Sequence, residues 1–83
     1  MAFLYILQSE ATGRFYVGST PDLQRRLAEH FRGHALATRS RGPWKLVHQE
    51  QFETLLHARR RELEIKSWKS ATMIRALIDS SVG

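Results

Sequence analysis

The chain has 83 residues, with 13 lysines and arginines against 8 acidic residues and a formal net charge of +5. That length predicts one domain spanning residues 1–83 with a small core, and a composition of 42% hydrophobic and 25% charged residues excludes the disordered class. The absence of cysteine excludes disulfide staples and thiolate metal sites, and the basic balance points to a polyanionic partner.

Residues 1–8 are apolar but short, lack a basic leader and run into strand-like sequence. They predict neither a signal peptide nor a membrane span, which fits a cytoplasmic protein. The run Phe3-Leu4-Tyr5-Ile6-Leu7 predicts a first strand buried on both faces. A hairpin loop over residues 8–14, with Ser9, Thr12 and Gly13, leads to a second strand over residues 15–19. This return brings Tyr5 and Tyr16 near each other on adjacent strands.

Thr20, Pro21 and Asp22 predict a helix start, with Thr20 as N-cap, Pro21 at the first helical position and Asp22 in the first turn. Leu23, Leu27 and Phe31 recur every four residues as the expected buried stripe, and Arg26 and His30 form a second row beside it. Gly33 suits a left-handed C-cap. No acidic residue occurs from 30 to 49, whereas Arg32, Arg39, Arg41 and Lys45 do, giving a basic connection suited to phosphates.

Residues 44–52 alternate Trp44, Leu46 and His48 with Lys45, Val47 and Gln49, which predicts a third strand. Trp44 and Trp68 read as core residues. Thr54 caps a second helix to about Trp68, with Leu55, Ala58, Glu62, Ile65 and Trp68 on one broad face. Ser70 or Thr72 opens a short third helix whose apolar side holds Met73, Ala76 and Leu77 or Ile78. The order β-β-α-β-α-α predicts an α+β fold with a small three-stranded antiparallel sheet flanked by helices. Glu62 stands out on its apolar face: a carboxylate there either pairs with a neighbour of the Arg59-Arg60-Arg61 run or binds a cation.

Five blocks in register resemble the GIY-YIG nucleases, and in particular their small bacterial single-domain branch. They are Phe3-Leu4-Tyr5, Tyr16-Val17-Gly18, Arg26-x-x-x-His30, Thr38-Arg39-x-x-Gly42-Pro43-Trp44-Lys45-Leu46-Val47, and Arg61-Glu62-x-x-Ile65-Lys66-x-Trp68. The resemblance implies a metal-dependent endonuclease acting on DNA phosphodiesters, with one Mg2+ or Mn2+ ion on Glu62. In that comparison Tyr5 matches the general base, Tyr16 orients water or phosphate, Arg26 binds the scissile phosphate, and His30 assists Tyr5. Arg32, Arg39, Arg41 and Lys45 would bind nucleic acid by shape, favouring single-stranded, flap or branched DNA. A homodimer or protein partner is compatible with so small a module. The alternative is a catalytically inactive nucleic-acid-binding module on the same fold. Many members support the metal carboxylate with a late asparagine, and none follows Glu62 here.

Overall fold

A computed structural model describes residues 1–32 and 42–80. The chain forms β1 (Ala2–Ser9), β2 (Phe15–Thr20), α1 (Leu23–Phe31), β3 (Trp44–Phe52), α2 (Leu55–Ser67) and α3 (Ala71–Ser80). The three strands make an antiparallel sheet in the order β2-β1-β3. β1 is thus paired on both edges and covered on both faces, so its apolar run is continuous. Leu4, Tyr5, Ile6 and Leu7 are all fully buried.

Two apolar layers flank the sheet. Leu4, Ile6, Val17 and Ile65 form one, with Trp68, Ile74, Leu77 and Ile78 packed against them from α2 and α3. Tyr5, Leu7 and Trp44 form the other, closed by Leu23 and Leu27 of α1. Each fully buried aliphatic side chain contributes about 1.5–3 kcal/mol. Trp44 and Trp68 pack into these layers, as their core reading requires.

The structure differs from the sequence reading at four places. Asp22, not Thr20, is the N-cap of α1: its carboxylate accepts from the Arg25 amide at 3.1 Å. Thr20 Oγ1 instead accepts from the Asp22 amide, forming a turn before the helix. Phe31 is 53% exposed, and the buried residue of α1 is His30 at 2%. The helix therefore faces the sheet through Leu23, Leu27 and His30, a period closer to 3.6 than a strict step of four.

In β3 the alternation breaks. Ile6 pairs with His48 while the next residue, Leu7, pairs with Leu46, so Val47 is the extra residue of a bulge. The bulge carries His48 away from the face shared by Trp44 and Leu46 and onto the α2 side. There His48 bonds Glu50 at 2.7 Å, and Glu50 receives Arg61 Nε at 3.0 Å. In α3 the packed residues are Ile74, Leu77 and Ile78, while Met73 is 48% exposed and Ala76 is also exposed. Spacings of three and four, not the apolar count, select that face. The predicted C-cap Gly33 lies outside the described residues.

Candidate active site

Tyr5 is the centre of the polar cluster on the α1 side of the sheet. Its hydroxyl lies 2.9 Å from His30 Nε2 and accepts from Arg26 Nε at 3.4 Å. Arg26 is positioned by α1, and its Nη1 also donates to Glu29 Oε1 at 3.3 Å. The Tyr16 ring stands 5.0 Å from His30 and 6.3 Å from Tyr5, with Trp44 at 6.4 Å behind it. Register explains the grouping: Tyr5 pairs with Gly18 and Leu7 with Tyr16, so the two tyrosines project diagonally from one face.

Gly18 is what lets the phenol lie there. A Cβ at that position would stand 2.5 Å from Tyr5 Oη and 2.6 Å from its Cζ, below any tolerable contact. The glycine of Tyr16-Val17-Gly18 is thus required by close approach of a ring to the strand backbone.

Hydrogen-bond direction follows from the partners. An arginine Nε–H can only donate, so the Tyr5 oxygen accepts from Arg26 and its own O–H is free to donate to His30. The imidazole must then offer a lone pair at Nε2. Burial, with the Arg26 charge nearby, lowers the His30 pKa below its ordinary value and keeps the ring neutral for that purpose. Burial also pushes the Tyr5 hydroxyl up to about 12, outweighing the hydrogen bond and charge of Arg26, so its resting form is the neutral phenol. Tyr5, Glu29 and Tyr16 all favour the cationic form of Arg26, whose pKa is raised, the Tyr5 hydrogen bond contributing most.

Glu62 approaches from α2, on the other side of β2. Ser19, the residue after Gly18, donates its hydroxyl to Glu62 Oε1 at 2.5 Å. Lys66, one turn along α2, bonds Oε2 at 2.6 Å. The expected partner from the arginine run is thus replaced by a lysine four residues on, because Arg61 is turned to Glu50 and Glu64. Glu62 is close enough that its charge opposes ionisation of Tyr5. A cavity of about 370 Å³, lined by Ser19, Arg59, Glu62 and Leu63, opens beside the carboxylate.

Tyr5, Tyr16, Arg26 and His30 gather on the α1 face of the sheet, and Glu62 is bonded to Ser19 on the other face of β2. Arg32 is exposed at the C-cap of α1 and Lys45 is exposed on β3. Neither has a side-chain hydrogen bond or ion pair to the tyrosine cluster among the described residues. Arg39 and Arg41 lie outside the described residues. Sequence reasoning gave no role to Ser19, Glu29 or Lys66, and named Arg59 only within the arginine run beside Glu62. The i, i+3 and i, i+4 spacings of Arg26–Glu29 and Glu62–Lys66 could have signalled two of them; Ser19 has no sequence signal.

The donor set beside the cavity is one carboxylate backed by one hydroxyl, and no cluster of three or more His, Cys, Asp or Glu that could hold a metal occurs among the described residues. That set does not suit an all-protein metal cage. It fits a hard divalent ion that keeps most of its water, as magnesium does.

Comparison with known proteins places this geometry in a family. The model of the GIY-YIG catalytic domain matches residues 1–75. A UPF0213 protein of Natronomonas pharaonis is 41% identical over 80 residues, covering 95% of this chain and 93% of that protein. One from Staphylococcus aureus is 37% identical over 76 residues, covering 90% and 92%. The solution NMR structure of a UPF0213 protein from Bacillus halodurans superposes with a TM-score of 0.61 at 36% identity, covering 95% of this chain and 84% of that one. With its three-stranded sheet, its helix order and its two tyrosine motifs on paired strands, the chain belongs to the GIY-YIG family of nuclease-type domains.

Proposed function

We propose that this chain is a metal-dependent endonuclease that hydrolyses DNA phosphodiester bonds as a one-domain module in the cytoplasm. The observation that carries the reading is the Tyr5 hydroxyl, bonded at once to a neutral buried imidazole and to a guanidinium. A phenol pushed up to about 12 is a poor resting base. As a relay it is a good one: Tyr5 accepts a proton from the attacking water while its own proton passes to His30 Nε2. His30 leaves the step as imidazolium, its Nε2–H donating back to the phenol oxygen.

Tyr16, beside both rings, orients the attacking water or the phosphate. Arg26 binds the scissile phosphate, where its planar fork suits two oxygens at once. Arg59, on the wall of the Glu62 cavity, adds charge for the same group. Glu62, fixed by Ser19, would hold one Mg2+ or Mn2+ ion, which supplies charge stabilisation of the pentavalent transition state and a polarised phosphoryl oxygen. Ser19 takes the supporting place that the missing asparagine leaves open.

Phosphate contacts without base readers give affinity and salt dependence, not sequence choice. The substrate is therefore single-stranded, flap or branched DNA, selected by shape, with Arg32, Arg39, Arg41 and Lys45 as backbone contacts. A homodimer or protein partner would supply whatever further selectivity the cell needs.

The test is a magnesium-dependent nicking assay on single-stranded and branched DNA, comparing the wild-type chain with Glu62→Ala and Tyr5→Phe. Wild type cuts and both variants lose cutting while still binding DNA. Equal cutting by all three overturns the assignment. Binding without any magnesium-dependent cutting by wild type identifies the inactive binding module instead.

A further inference from the structure

A second cavity, about 380 Å³, lies between the β1–β2 hairpin and the junction of α2 with α3. Phe15, Ala71 and Ile74 give it an apolar floor, and Thr12, Arg14, Lys69 and Ser70 form its polar rim. Arg75 extends that rim, its guanidinium 5.7 Å above the Phe15 ring. No acidic residue lines the cavity among the described residues. None of the ion pairs among them involves Arg14, Lys69 or Arg75. Three cations outside those ion pairs, around an apolar floor, match a ligand that alternates phosphates with flat, apolar-faced rings.

The position of the cavity gives it a use. β2 is an edge strand of the sheet, and α2 runs antiparallel beside it: Glu62 meets Ser19, while Lys69 and Ser70 meet Phe15. Four residues of strand separate Ser19 from Phe15, about 13 Å at the usual rise. That distance corresponds to about four stacked nucleotides of one strand. The Glu62 cavity and the hairpin cavity are therefore two stations on one edge.

We propose that a DNA strand leaving the Glu62 cavity follows the free edge of β2 and seats its flanking nucleotides in the hairpin cavity, with phosphates on Arg14, Lys69 and Arg75. The proposal rests on the nuclease reading for where the strand starts, and it adds a contact surface on the α2 side of the sheet, across from Arg32 at the end of α1. A strand held at both stations is drawn across Glu62 in a fixed direction, which favours a single-stranded arm over a continuous duplex.

Binding of a labelled oligodeoxythymidine is measured by fluorescence anisotropy across a salt series, in chelator so that nothing is cut. The triple variant Arg14→Gln/Lys69→Gln/Arg75→Gln weakens binding about tenfold and makes the log-log salt slope shallower by about 2, since each phosphate contact on a single strand contributes about 0.7. Arg60→Gln, which removes one exposed cation on another face of α2, leaves the slope as it is. Ala71→Phe fills the cavity without changing charge and weakens binding with an unaltered slope. A triple variant with the wild-type slope overturns the proposal, as does wild-type affinity in Ala71→Phe. Because these readings need no catalysis, they fail independently of the nicking assay on Glu62→Ala and Tyr5→Phe.

Discussion

Replacing Gly18 with alanine tests the packing that holds the candidate general base. The added Cβ would meet Tyr5 Oη at 2.5 Å, Cζ at 2.6 Å and Cε1 at 3.0 Å. Reaching ordinary van der Waals separation of about 3.5 Å requires the phenol to retreat by about 1 Å. It has little room to do so, because Tyr5 is 1% exposed and its ring is enclosed by Tyr16, Leu7 and Trp44. A retreat of that size also breaks the 2.9 Å bond to His30. Overpacking of this kind costs about 1–3 kcal/mol and the lost hydrogen bond about 1 kcal/mol more. Together these lower the melting temperature by roughly 10–30 °C for a chain of this size. Thermal unfolding followed by circular dichroism gives the first reading, and DNA cutting at a temperature where the variant is folded gives the second. Cutting is lost while binding in chelator is retained. A melting temperature within about 3 °C of wild type, with full cutting, refutes the claim that glycine is required for the approach of Tyr5.

Two further predictions use titration and metal affinity. Tyr5 has its hydroxyl raised to about 12 in the folded chain. Its contribution, on the order of 2 kcal/mol, is complete below the unfolded value of about 10 and is lost as pH rises through 12. Tyr5→Phe flattens that alkaline limb of the stability profile, and an unchanged limb refutes the buried neutral phenol. His30 is shifted the other way, so its contribution is complete above about 6.5 and is lost as pH falls through its lower folded value. The acid limb of DNA cutting follows it below 6.5, and an acid limb above that pH refutes the relay. Lys66→Gln removes the ammonium that competes for Glu62. An exposed i, i+4 pair is worth about 0.3–0.5 kcal/mol, so Mn2+ binds about twofold tighter by calorimetry without DNA. Unchanged or weaker binding shows that Lys66 does not occupy the ion's place.

The strands and helices were legible because their signals are local. β3 begins and ends where its alternating pattern does, and Thr54 caps α2 through its bond to the His57 amide. The α1 boundary misled by two residues because Thr20 and Asp22 are both competent caps, and the turn around Pro21 decides between them. The bulge at Val47 has no local signature at all. It arises from how β3 must pair with β1, and it decides that His48 joins Glu50 and Arg61 instead of the tyrosine cluster.

The same division runs through the candidate site. By itself the sequence determined the element order, the apolar periods and the identity of the residues with chemistry to offer: two phenols, a guanidinium, an imidazole and one carboxylate. Only the tertiary structure decided that His30 is buried against Tyr5, that Ser19 and Lys66 hold Glu62, and that Gly18 makes room for a ring. Periodicity is a property of neighbours along the chain. A hydrogen bond between residues 25 or 43 positions apart depends on strand register and helix placement, which the packed core sets.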